Sequence, residues 1–179
     1  RENLGIKKDD LFLIYAGRLD VEKRVSFLVE AFNKLPNNIS AMLVLIGDGP
    51  LKDSIQSSGN GKIIVLPYVT DKPELARILD SADIYVTAGP FETFGLSVLE
   101  AQASGLPVVG VKAGALIERV PQSVGLLGDK DSPEEMTANI VQLAQGNYKN
   151  MGYHARKMVE SEFTWTRTFE NILQLYSTL

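Results

Sequence analysis

Leu11-Phe12-Leu13-Ile14-Tyr15-Ala16-Gly17-Arg18 and Ala41-Met42-Leu43-Val44-Leu45-Ile46-Gly47-Asp48-Gly49-Pro50 are the stretches on which the fold turns. Each is a continuous apolar run that stops at glycine, which is how a strand buried on both faces reads. Ile63 to Leu66, Ile84 to Val86 and Val108 to Val111 are shorter members of the same set, and Val124 to Leu127 is a further candidate. Between them the period changes. Val25, Leu28, Val29 and Phe32 fall three and four apart, as on one helix face, and Leu75, Ile78 and Leu79, then Leu96, Leu99 and Ala103, repeat that spacing. Parallel strands need a crossover of about a dozen residues, and these spacers fit. The economical fold is therefore α/β, a doubly wound parallel sheet with helices on both faces. In such a sheet ligands belong at the carboxyl ends of the strands.

The last third changes character. Met136, Ile140, Val141 and Leu143 mark one amphipathic helix, Met151 to Glu160 a second, and Trp165, Phe169, Ile172, Leu173 and Tyr176 a third with Thr164 as its N-cap. An aromatic stripe at helical spacing reads as core or interface packing, and no cofactor is assigned to it. Ser57-Ser58-Gly59-Asn60-Gly61 reads as a loop.

Composition bounds the chemistry. A chain of 179 residues with 45% apolar and 22% charged residues is expected to form one globular domain over 1–179, which excludes disorder, collagen and coiled coil. Its formal charge of -4 offers no global field for nucleic acid or an anionic membrane, so any anion site must be local. The absence of cysteine excludes a disulfide framework, a thiolate zinc site, an iron-sulfur centre and a cysteine nucleophile. The one histidine, His154, falls in an expected exposed helix, which argues against a Ser-His-Asp triad or a multi-histidine metal site. No apolar run reaches the ~20 residues of a membrane span, no secretory signal opens the sequence, and the cytoplasm is the favoured compartment. A first residue of Arg1 rather than Met suggests a fragment.

Familiar nucleotide motifs fail. Lys52 stands where a dinucleotide fingerprint opened by Gly47-x-Gly49 wants its third glycine, and Gly61-Lys62 is followed by Ile63, which no P-loop allows. Two places remain. In Gly17-Arg18-Leu19-Asp20-Val21-Glu22-Lys23, just past a strand, a guanidinium fork and a flexible ammonium suit a diphosphate; the plainer alternative makes Lys23 and Arg24 a solvated helix start. In Thr87 to Glu100, Gly89 and Pro90 force a loop and a helix begins near Gly95, with Glu92 and Glu100 bracketing its start. A helix N-terminus offers unpaired N–H groups and about half a positive charge to a phosphate, and Gly95 would admit a ligand close to the backbone. Glu92 could equally favour the helix dipole alone, and Glu100 could be a solvated helix residue, although its neighbours Val98, Leu99, Ala101 and Ala103 are unusually apolar for that.

Taken together these residues resemble the C-terminal, nucleotide-sugar-binding domain of GT-B fold retaining glycosyltransferases of family 4, the glycosyl transferases group 1. The resemblance covers nearly the whole chain. It rests on Gly17-Arg18-Leu19 with Lys23, Val44 to Pro50, Ser81-Ala82-Asp83-Ile84, Glu92-Thr93-Phe94-Gly95-Leu96 with Glu100-Ala101, Ser104-Gly105-Leu106-Pro107-Val108-Val109, and Gly114 with Glu118. It implies a Rossmann-like half of a GT-B fold with extra C-terminal helices. It also implies that Arg18 and Lys23 hold the donor diphosphate, replacing a metal electrostatically, and that Glu92 binds donor-sugar hydroxyls. Glu100 would accept from the ribose hydroxyls, Gly17 and the backbone from Thr93 to Leu96 would line the donor, and Tyr68-Val69 would meet the base through main-chain groups. Arg18, Lys23 and Glu92 would carry the catalysis. Arg24, Pro67 and Ala115 depart from glycines frequent in the family.

The resemblance further implies a hexosyltransferase that moves sugar from UDP-sugar or GDP-sugar to an acceptor hydroxyl without metal or cofactor. An N-terminal acceptor domain is expected outside this chain, which would leave the fragment inactive. Two rival classes stay open: a nucleotide-binding regulatory module without catalysis, and a glycoside hydrolase using Glu92 and Glu100 across one sugar bond, for which carboxyl groups roughly 5 to 10 Å apart are needed.

Overall fold

The computed structural model describes residues 1–58 and 61–177. Leu11–Ala16 (β1), Ala41–Ile46 (β2), Ile63–Leu66 (β3), Ile84–Val86 (β4), Val108–Val111 (β5) and Gly125–Gly128 (β6) form a six-stranded sheet in the order β3-β2-β1-β4-β5-β6. Every pairing is parallel. β1 lies in register with β2 from Leu11 against Ala41 to Ala16 against Ile46, so both apolar runs end at one edge of the sheet. The interior strands are buried on both faces, with Ile14, Val44, Leu45, Ile84, Tyr85 and Val108 fully enclosed, which is why the sequence shows runs there instead of alternation. Five strands begin and end where the runs do. The sixth starts one residue late, because the Val124 N–H turns back to the Pro121 carbonyl.

The helices are Val25–Asn33 (α1), Lys52–Ser58 (α2), Lys72–Asp80 (α3), Leu96–Ala103 (α4), Leu116–Arg119 (α5), Pro133–Gln145 (α6), Tyr148–Glu162 (α7) and Trp165–Ser177 (α8), with a 3₁₀ turn at Glu2–Leu4. Strand order runs outward one way from β1 and the other way from β4, so right-handed crossovers place α1 and α4 on opposite faces. α6 packs on α1 and α7 on α4. The buried Thr137 hydroxyl donates to the Ala31 carbonyl at 2.8 Å across the first of these contacts.

Side-chain caps set the helix starts: Asp71 accepts from the Glu74 N–H, Ser132 from Glu135, Asn147 from Asn150 and Thr164 from Arg167. The cap at Asn147 carries α7 back to Tyr148, earlier than Met151. One expectation needs correction and another is narrowed. Ser57 and Ser58 are not loop but the end of α2, held by the buried Ile55 and by their own hydroxyls on the carbonyls of Asp53 and Ile55; Gly59 and Asn60 lie outside the described residues. Of the two readings of the aromatic stripe, core or interface, the core one does not hold: α8 has no buried residue, Trp165 is 78% exposed, and the Trp165 and Phe169 rings stack on each other. Among the described residues no helix is long and apolar enough to cross a membrane.

Asp83 ties the lower end of the sheet together. Its carboxylate pairs with Arg1 at 3.1 Å, accepts the Phe12 N–H at 2.8 Å and accepts from the Tyr148 hydroxyl at 3.2 Å. The Ser81 to Ile84 motif thus enters β4 at the end opposite the glycine-terminated tips, which makes it structural.

Candidate functional site

β1 and β4 are neighbours in the sheet, yet the chain leaves them for opposite faces, and a crevice opens past their carboxyl ends. A cleft of about 500 Å³ occupies that crevice. Its floor is Tyr15 and Ala16 from the end of β1; one wall is Gly17, Arg18 and Lys23, and the other is the segment from Glu92 to Ser97 at the start of α4.

The start of α4 is built by Gly95, whose φ of 79° is left-handed and open to glycine at little cost. This glycine is required by its backbone conformation as well as suited to the close approach of a ligand. The first intrahelical bond is Leu99 N–H to the Gly95 carbonyl, so the amides of Leu96, Ser97 and Val98 stay outside the ladder, and Leu96 and Ser97 line the cleft. Glu92 reaches back to this start. One carboxylate oxygen accepts the Gly95 N–H at 3.2 Å while the other pairs with Lys23 Nζ at 2.7 Å. Its carbonyl accepts the Ala115 N–H at 2.8 Å. Gly114, at φ 52°, passes so close that an added Cβ would lie 2.7 Å from that carbonyl. Ala115 itself has φ -63°, so the second glycine frequent in the family is dispensable here.

The opposite wall is organised by Asp20, a residue the sequence reading missed. Its buried carboxylate accepts the Lys23 N–H at 2.9 Å and pairs with Arg18 at 2.6 Å, gathering both cations. Arg18 also meets Glu22 at 2.5 Å, and this hydrogen bond, with the nearby Asp20 charge, raises its pKa above the ordinary guanidinium value. The Tyr15 hydroxyl donates to the Arg18 carbonyl at 2.9 Å, and burial pushes the phenol pKa far up. Lys23 is not a solvated helix start: its side chain is 27% exposed and points at Glu92. Arg24 does begin α1, at φ 52°, the one positive-φ non-glycine among the described residues. Its guanidinium compensates by lying 4.5 Å from the Phe27 ring centroid and bonding the Lys130 carbonyl.

A second cavity of about 220 Å³ adjoins the first and shares Ala16, Gly17, Tyr68, Leu96 and Ser97 with it. It adds Val69, Lys72 and Glu100. Glu100 pairs with Lys72 Nζ at 2.6 Å, and this hydrogen bond raises the lysine pKa. Of the expected site residues, Gly17, Arg18, Lys23, Tyr68, Glu92, Thr93, Phe94, Gly95 and Leu96 line the first cavity, Val69 and Glu100 the second. The glutamates therefore occupy adjoining compartments, each with its own lysine. Asp48 and Thr87 line the first cavity as well, and with Asp20 and Lys72 they were not anticipated. Asp20 had a signal, an aspartate three residues before Lys23 at a helix entry; Lys72 had none, since its partner is 28 residues away. Among the described residues no cluster of His, Asp and Glu could hold a metal ion.

The family described as Glycosyl transferases group 1 matches residues 1–158. The chain is 32% identical over 165 residues to a GDP-mannose-dependent alpha-(1-6)-phosphatidylinositol dimannoside mannosyltransferase of Mycobacterium tuberculosis, an overlap of 91% of this chain and 43% of that protein. Among solved structures, HepE of Anabaena in complex with UDP and glucose superposes with a TM-score of 0.85 at 22% identity, covering 100% of this chain and 51% of that one. The C-terminal domain of a group 1 family protein, LpcC of Francisella tularensis, superposes at 0.75 with 23% identity, covering 92% of this chain and 91% of that one. These likenesses show the fold; the chain spans about half the length of the curated relatives it matches.

Proposed function

The chain belongs to the glycosyl transferases group 1, and we propose that it is the donor-binding half of a retaining hexosyltransferase that uses UDP-sugar or GDP-sugar. The observation that carries this reading is the convergence of Arg18, Lys23 and the open amide end of α4 on one cleft at the point where the strand order reverses. That constellation is what a pyrophosphate needs: a planar fork, a point charge and unpaired N–H donors. In this reading Glu100 accepts from the ribose hydroxyls once Lys72 swings aside and Tyr68 and Val69 meet the base, which their common lining of the adjoining cavity supports.

In the reaction we propose, Lys23 and Arg18 stabilise the charge that grows on the diphosphate as the bond to the sugar breaks. No metal is required for that. Glu92, held by Lys23 and by the Gly95 amide, faces the sugar hydroxyls. The acceptor oxygen attacks from the face the diphosphate leaves, the departing phosphate takes the acceptor proton, and the nucleoside diphosphate is released with the configuration of the sugar retained. The acceptor and the rest of the machinery belong to an N-terminal domain beyond this chain. The isolated fragment accordingly binds nucleotide and transfers nothing. Arg18 and Lys23 beside the cleft speak against a hydrolase, which has no diphosphate to neutralise.

Calorimetry of the isolated chain with UDP, GDP and their sugars tests the reading. Heat of binding with one nucleotide series is expected, and silence with all of them removes the donor-site assignment. Turnover by the chain alone would remove the division of labour.

A further inference from the structure

Arg119 lies outside the cleft, at the last residue of α5, yet it grips the loop that forms one wall. Its Nε donates to the Phe94 carbonyl at 3.2 Å, its guanidinium carbon stands 4.8 Å from the Phe94 ring centroid, and its Cγ approaches the place a Cβ on Gly95 would take. The peptide unit joining Phe94 to Gly95 is thereby held at both ends by charged side chains. Its carbonyl accepts from Arg119 and its N–H donates to Glu92, which in turn pairs with Lys23.

The other face of the guanidinium contact lies elsewhere in the fold. The same carbon is 4.8 Å from the ring centroid of Phe163, the residue that closes α7 just before α8. Phe163 lines neither cavity of the site. The main chain of Arg119 is secured independently, because the fully buried Gln102 donates its side-chain amide to the Arg119 carbonyl at 2.7 Å. Changing the Arg119 side chain therefore leaves the backbone of α5 anchored.

We propose that Arg119 is a positioning residue for the donor loop, orienting the Phe94–Gly95 peptide and with it the open amide end of α4 that follows in the cleft wall, and that Phe163 acts on the site only by steadying Arg119. A cation held by two aromatic rings, one hydrogen bond and the neighbouring Glu118 carboxylate at 3.6 Å loses little entropy when it fixes a peptide plane. The inference rests on the donor-binding reading above and adds to it a residue outside the cleft.

The test is calorimetric affinity for UDP and GDP in the wild type, Arg119→Met, Phe163→Leu, Phe163→Tyr and the Arg119→Met/Phe163→Leu double variant, with thermal midpoints measured in parallel. For the nucleotide that the wild type binds, Arg119→Met is expected to weaken affinity about tenfold and Phe163→Leu about threefold. Phe163→Tyr, which keeps the ring, should restore wild-type affinity, and adding Phe163→Leu to Arg119→Met should change nothing further. A folded Arg119→Met variant that binds like the wild type overturns the proposal, and so do losses that multiply in the double variant. Should Arg119→Met not fold, the contrast between Phe163→Leu and Phe163→Tyr decides alone, equal affinities counting against the proposal. A wild type that binds neither nucleotide overturns the donor reading and this inference with it, whereas intact binding in the wild type and Arg119→Met alike overturns only the inference.

Discussion

Lys23 pairs with Glu92, and this makes opposite predictions for the two partners. Their charged atoms are 2.7 Å apart and their side chains 27% and 20% exposed, so the pair is partly sheltered from screening. Replacing Lys23 by Met removes a charge-assisted bond to the diphosphate, a loss of about 1.5 to 3 kcal/mol or roughly 10- to 150-fold in affinity. Glu92→Gln leaves the ammonium in place and removes a carboxylate that the diphosphate must share it with. At an effective dielectric constant between protein and water, that relief is on the order of 1 kcal/mol, or about fivefold tighter binding. The assay is calorimetry of each variant with the nucleoside, its monophosphate and its diphosphate in the same buffer. The diphosphate should lose most with Lys23→Met and gain with Glu92→Gln, while the nucleoside stays level. Equal losses for nucleoside and diphosphate, or a Glu92→Gln variant that binds diphosphate worse than Lys23→Met does, would refute the reasoning. In a full-length enzyme Glu92→Gln should nevertheless slow transfer, because the sugar hydroxyls trade a charged acceptor for a neutral amide with one acceptor oxygen.

The other expectations concern the scaffold. Asp83→Ala strips the ion pair to Arg1 and the acceptor for Phe12 and Tyr148, and should lower stability by about 2 to 4 kcal/mol in denaturant titration without changing nucleotide affinity. Arg24→Gly should be more stable than Arg24→Ala by about 1 kcal/mol, since both lose the Phe27 and Lys130 contacts but only glycine relaxes the left-handed backbone; equal thermal midpoints would contradict the strain. Complete burial pushes the Tyr85 phenol from 10.0 to about 12, so the folded chain keeps a proton there that the unfolded chain gives up. Its contribution is whole below about pH 10 and is lost as pH rises toward 12, an alkaline fall of roughly 2 to 3 kcal/mol that Tyr85→Phe should flatten, with Tyr15 leaving a residual slope.

Much of the fold is legible without coordinates because the sheet is parallel and buried on both faces. Such strands print as unbroken apolar runs, and β1 to β5 lie where those runs lie. The short α2 and α5 escaped notice since neither spans enough residues to show a period, with Ile55 and Leu116 their lone buried anchors. The α8 stripe left core and interface open, because periodicity reports that a face is apolar and says nothing about what covers it, and the structure removes only the core.

The sequence alone determined the elements, their alternation, the exclusion of thiol chemistry and the presence of Arg18, Lys23, Glu92 and Glu100 near glycine-broken turns. Those signals are local, since strand runs, helix periods and caps are written within a few residues of where they act. What the tertiary structure decided is which of those residues meet. Crossing from β3 back to β4 brings Lys23 against Glu92 over 69 positions and sets Lys72 on Glu100, and the return of the chain after β5 and α7 lays Arg119 against Phe94 and Phe163. Such pairings depend on strand order and crossover hand, global properties that no window of sequence contains.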